Sequence, residues 1–185
     1  AKLAFQYLHD LLKQLAVLKP VNPLNFSIPG VAELKNLSYL DSFIDNRKKS
    51  VHDIEVIDVI SFYIKWGSTS KITIEKDMPA PAQKIRDGLT QNNVKFAEDE
   101  IRSPRGTVAG WKFEVDQAIN TDVKIVADHD KMRLMISARN LIRLGSDEFA
   151  VPILDINEAW LEEFAKSLLG QPSGLLKYKL PSTLR

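Results

Sequence analysis

The chain has 185 residues, 44% of them hydrophobic and 26% charged, and its 25 basic and 24 acidic side chains leave a net charge of +1. That balance belongs to a folded globular domain and lacks the strong basic excess of a dedicated DNA-binding domain; a chain of this length buries a sufficient core without disulfides or metal. The absence of cysteine removes disulfide frameworks, thiol nucleophiles and cysteine-type zinc sites, and no apolar run reaches the ~18 residues that span a bilayer.

Residues 2–18 read as an amphipathic helix, with Phe5, Leu8, Leu12 and Leu15 on one face and Lys2, Asp10, Lys13 and Gln14 largely opposite. Pro20, Pro23 and Pro29 mark a connector, after which Val31, Leu34, Leu37, Leu40 and Ile44 fall at helical spacing and predict a second helix. Residues 45–50 then form a charged loop. From 54 to 66 the density of β-branched and aromatic residues predicts a strand that returns, through a turn at Gly67-Ser68-Thr69, as residues 71–76. Pro79 and Pro81 open a short helix that continues through Ala82, Ile85 and Leu89. A short strand is expected over 94–98, followed by a loop over 102–110.

Residues 111–154 alternate most regularly and predict a four-strand meander. Its turns are expected at 118–120, at His129-Asp130 and at 145–148. The lengths of all three turns keep one face buried, with Asp128 opposite Lys131 and Leu144 opposite Phe149. Pro152 marks the fourth strand as an edge. Asp155 with Glu158 resembles a capping box for a helix carrying Trp160, Leu161, Phe164 and Leu168. The expected fold is therefore α+β: a mainly antiparallel sheet, built from the 111–154 meander and the 54–76 hairpin, packed with N-terminal, middle and C-terminal helices. It forms one domain over 1–185, with 1–19 able to dock separately and 171–185 a tail.

Chemistry-bearing motifs are sparse. His9, His52 and His129 each precede an aspartate, but no H-x-x-x-H or H-x-H spacing occurs, so no metal site is expected. The chain has no G-x-S-x-G elbow, Walker A or G-x-G-x-x-G sequence, and no cofactor is expected. Asp58 shares strand parity with Ile54, Val56, Ile60, Phe62 and Ile64, which predicts burial and a raised pKa and makes it the candidate catalytic carboxylate, with His52 or Tyr63 beside it. The alternative is a structural Asp58 at a bulge or paired with a cation. Arg102, Arg105, Arg139 and Arg143 are the candidate anion- or nucleic-acid-binding residues. In the predicted register Asp122 and Asp128 neutralise much of the cation row at 131–143, Arg143 lacks an acid, and the meander's outer face carries no stacking aromatic.

The leading expectation for function is a non-catalytic, protein-binding interaction domain or assembly subunit, with a protein partner or a second copy of itself. One alternative is a nucleic-acid or other anion-binding domain using the arginines. A second is a hydrolase-type enzyme built on Asp58. Ala1 in place of methionine fits a processed protein or an excised fragment, and the expected location is cytoplasmic, although the lack of cysteine does not fix the compartment.

Overall fold

The computed structural model describes residues 1–181, and its elements run α1 (Lys2–Leu18), β1 (Val21–Asn22), β2 (Phe26–Ile28), β3 (Ala32–Leu34), β4 (Leu37–Val51), β5 (Ile54–Lys76), α2 (Pro79–Gln91), β6 (Phe96–Arg102), β7 (Val108–Asp128), β8 (Arg133–Arg139), β9 (Ser146–Pro152) and α3 (Glu158–Leu168). The main sheet is antiparallel, with spatial order β1-β4-β5-β7-β8-β9 and β6 lying beside the first half of β7. A small β2–β3 hairpin packs on α2, where Ile28 and Val31 meet Gly88. The fold class expected from the sequence, α+β with a mostly antiparallel sheet, holds, as do α1, α2 and α3. Among the described residues, no helix is long and apolar enough to cross a membrane.

The central finding is the length of three strands. The turn expected at 118–120 does not form, because β7 continues through it. Phe113, Val115, Gln117, Ile119, Thr121, Val123 and Ile125 form one unbroken buried row, and every even neighbour faces the other way. The turn expected at 67–69 is instead an irregularity inside β5. Between Gly67 and Lys71 that strand carries two more residues than β7 does, so Ile72 and Ile74 stay on the same face as Ile64 and Trp66. Gln117 holds this bulge by donating from Nε2 to the Ser70 carbonyl (3.2 Å) and to Ser70 Oγ (3.0 Å).

The second predicted helix is also corrected: residues 37–51 are β4. Leu37 and Tyr39 face the core, Leu40 is an extra residue at a bulge, and Ile44 resumes the inward set. One residue inserted into a period of two produces the three- and four-residue spacings that imitate a helix. The predicted 45–50 loop is the second half of the same strand. Its hairpin to β5 closes at His52 and Asp53, both at positive φ (49° and 62°), as a two-residue primed turn requires.

The β7–β8 and β8–β9 hairpins exist with slipped registers. Asp128 faces Arg133 instead of Lys131, and Phe149 faces Ile136 instead of Leu144. Each slip is an even number of residues, so the buried face is unchanged. The second slip arises because Asn140, at φ 53°, ends β8 early and Leu141 turns into the core. β9 is the edge strand Pro152 implied. At α3 the cap is Asn157, whose Oδ1 accepts from the Trp160 N–H (3.0 Å), and not Asp155. Part of the expected tail is structured: a 3-10 turn covers Gly174–Tyr178, and Lys179 bridges Phe149. Residues 182–185 of that tail lie outside the described residues.

All helices lie on the odd-numbered face of β7. Phe164 of α3 meets Phe62 edge-on at 6.5 Å, Arg86 of α2 lies over Trp111 and Phe113, and Leu8, Leu12 and Leu15 of α1 join the same core. Among the described residues, no helix covers the opposite face of the seven-stranded sheet.

Candidate functional site

The open face is built from the outward residues of β4, β5, β7, β8 and β9. A shallow trough of about 630 Å³ crosses it, lined by Phe43 and Asp45 of β4, Ser61 and Tyr63 of β5, Asp122 and Lys124 of β7, Ser137 and Arg139 of β8, and Ser146 and Glu148 of β9. Phe43 and Tyr63 are cross-strand partners with stacked rings, 6.4 Å between centroids and 30° between planes. Phe43 is 58% exposed, on the stretch of β4 beyond its short pairing with β1, where β4 is an edge of the sheet. The Tyr63 hydroxyl donates to Asp41 Oδ2 (3.1 Å), and this bond to a carboxylate raises the pKa of the phenol. The aromatic pair escapes a sequence reading because it needs β4 to be a strand: Phe43 meets Tyr63 only across the β4–β5 ladder.

Asp58 is placed differently from its expected position. It is the extra residue of a β5 bulge, since Arg47 pairs with Val59 and Lys48 with Ile57. The bulge turns Asp58 off the apolar face and onto two cations, Lys49 Nζ at 2.8 Å and Arg47 Nη2 at 3.4 Å, with the His129 imidazole Nε2 at 3.8 Å. Its side chain is 13% exposed, yet the hydrogen bond from Lys49, reinforced by the Lys49 and Arg47 charges, outweighs burial and holds the carboxyl below its usual range. This corrects the expected raised pKa. Neither expected companion is present: His52 is at the hairpin tip and Tyr63 is bonded to Asp41.

The four arginines do not converge. Arg102 faces Val108 and Arg139 faces Asp122, fourteen residues further along β7, which is about 45 Å at 3.3 Å per residue. Arg102 pairs with Glu100 and donates from Nη1 to the Gly106 carbonyl (2.9 Å), bracing the β6–β7 turn on which Arg105 stands exposed. Arg143 is not without an acid: its Nη2 lies 2.8 Å from Asp147 Oδ1, which Lys179 Nζ also approaches at 2.7 Å. Among the described residues, Arg139 makes no ion pair within 4.0 Å. It points to the trough and to a smaller notch beside it. Asp128 and Arg133 are direct cross-strand partners 3.0 Å apart, and that bond lowers the Asp128 pKa. No cluster of three or more metal-type ligands occurs among the described residues.

No protein-family model matches the chain, and neither a curated protein nor a solved structure is detectably similar to it.

Proposed function

We propose that this chain is a non-catalytic interaction domain that binds a partner protein across its open sheet face, with Phe43 and Tyr63 as the anchor. The observation that supports this most is the exposed Phe43 ring stacked on Tyr63 beside a trough of mixed charge. Aromatic side chains near the centre of a surface dominate binding energy, and surrounding polar groups set register and exclude water. The trough alternates acids (Asp45, Asp122, Glu148) with cations (Lys124, Arg139) and hydroxyls (Ser61, Ser137, Ser146), which suits a polypeptide of mixed charge better than a polyanion.

The test is an array of short random peptides probed with the full chain and with three variants. Phe43→Ala and Tyr63→Ala are expected to weaken the bound set roughly tenfold or more, whereas Val17→Ala, on an exposed apolar residue of α1, leaves it unchanged. Peptides that bind Phe43→Ala as well as they bind the unaltered chain overturn the reading.

Nucleic-acid binding is the second reading. It gains from the Phe43–Tyr63 stack next to Lys124 and Arg139, because single-stranded RNA is held by aromatic platforms beside cations. Titration with a single-stranded oligonucleotide at low and high salt tests it: a steep salt dependence supports it, and the absence of binding at low salt removes it.

A further inference from the structure

Past its first residues, β4 is paired on one side only. β1 covers Leu37 and Ser38, and the Tyr39 N–H donates to the Pro20 carbonyl (2.9 Å). From Asp41 to Val51 β4 pairs with β5, and among the described residues no strand lies along its other edge. Alternate residues of such an edge aim their N–H and C=O groups away from the sheet, and an added extended backbone satisfies the whole row. The Asn46 N–H donates to the Asp45 carboxylate of its own strand (2.8 Å), where a neighbouring strand would offer a carbonyl. Other strand edges are shorter, closed or self-repelling. β5 beyond its bulge pairs only from Lys71 to Lys76, and β6 carries Glu98, Asp99 and Glu100 in succession. β9 ends at Pro152, and its Glu148 carbonyl already accepts the Leu180 N–H (2.8 Å).

Side chains along the β4 edge are ordered by charge. Asp41 and Asp45 precede Asn46, whereas Arg47, Lys48 and Lys49 follow it. Asp41, Phe43, Asp45 and Arg47 stand on the open face, opposite Lys65, Tyr63, Ser61 and Val59 of β5. Among the described residues Asp45 makes no ion pair within 4.0 Å, and the Arg47 side chain is 74% exposed, reaching Asp58 only at 3.4 Å. A strand of the same sequence running antiparallel therefore brings its cations to these acids. A basic strand meets Lys48 and Lys49 instead and is repelled.

We propose that the chain forms a two-fold dimer in which two β4 edges pair antiparallel about Asn46 and join the two sheets into one. Residues directly opposite share a face, so the pairing is symmetric about one residue of the edge. Centring on Asn46 sets Asp45 opposite Arg47 of the second copy, Phe43 opposite Lys49, Ile44 opposite Lys48 and Ser42 opposite Ser50, with no like charges facing. It also uses the whole free stretch. Centring on Asp45 or Arg47 sets that charge against itself, and centring on Ile44 drives Ser50 and Val51 into the place that β1 holds. A two-fold axis perpendicular to the sheet leaves all helices on one side and doubles the open face. The dimer depends on the β4 edge and not on a partner in the trough.

Sedimentation equilibrium of the full chain, from about 1 μM to about 1 mM, tests it and should show a reversible monomer–dimer equilibrium. Asp45→Arg and Arg47→Asp, each shown to be folded by circular dichroism, should weaken the dimer roughly tenfold or more, since the two-fold repeats each exchange twice. Both changes together rebuild the contact and should return the affinity to within about threefold of the unaltered chain. Amide hydrogen exchange within 41–51 should slow as the concentration of the unaltered chain rises. A monomer across the whole range overturns the dimer, as does exchange within 41–51 that ignores concentration. A dimer that both single variants leave intact, or a double variant that regains nothing, overturns the pairing about Asn46.

Discussion

Replacing Thr121 by Val keeps the outline of the side chain and removes its hydroxyl. Thr121 is 1% exposed and its oxygen serves two strands at once: it accepts from Trp66 Nε1 at 3.2 Å and donates to the Asn140 carbonyl at 2.9 Å. The variant strands the indole N–H of a fully buried tryptophan, at a cost of about 1–3 kcal/mol, and releases a buried carbonyl for about 1 more. The sum is about 2–4 kcal/mol, which for a domain of this size lowers Tm by roughly 5–12 °C. Thr121→Ser retains both bonds and loses one methyl, at about 1 kcal/mol. Urea unfolding of the three chains, with the slope m unchanged among them, measures the difference. Thr121→Val within about 0.5 kcal/mol of the unaltered chain, or Thr121→Ser less stable than Thr121→Val, refutes the claim that this relay ties β5, β7 and the end of β8 together.

Three further outcomes follow. Asp58 and Asp128 have depressed pKa values, so each favours the folded state fully above the ordinary carboxylate range and loses that contribution as pH falls below about 4; acid unfolding followed by circular dichroism should show this limb, flattened in Asp58→Asn. Gly170 sits at φ +71° against Asn22 and Leu24, so Gly170→Ala combines left-handed strain with a steric conflict and should cost at least about 1–2 kcal/mol in thermal unfolding. Phe43→Ala, in contrast, should change stability by less than about 1 kcal/mol, because the ring is largely outside the core. A cooperative loss of several kcal/mol at that position would mean that Phe43 is a packing residue and not an anchor.

The burial pattern was legible along β7 in a form that the turns obscured. Matching odd residues across 118–120 requires a loop of odd length, but an uninterrupted strand satisfies the same parity with no loop at all, and Ile119 inside the supposed turn is buried. Strands of this length are uncommon, and a three-residue turn at 118–120 was expected instead. β4 was hidden for a different reason. Its bulge at Leu40 converts a period of two into spacings of three and four, and the change can be recognised only from the partner strand. Asp58 repeats the lesson on β5, where the bulge that removes it from the apolar face is a property of the β4–β5 pair and of neither strand alone. The candidate site inherits this dependence: the Phe43–Tyr63 stack requires the β4–β5 ladder.

The open sheet face as a protein-binding surface is tested most directly by the calorimetric affinity of an array-selected peptide for the unaltered chain, Phe43→Ala and Val17→Ala, each shown to be folded. A loss of roughly tenfold or more is expected in Phe43→Ala and none in Val17→Ala. Equal affinities for all three chains would contradict it.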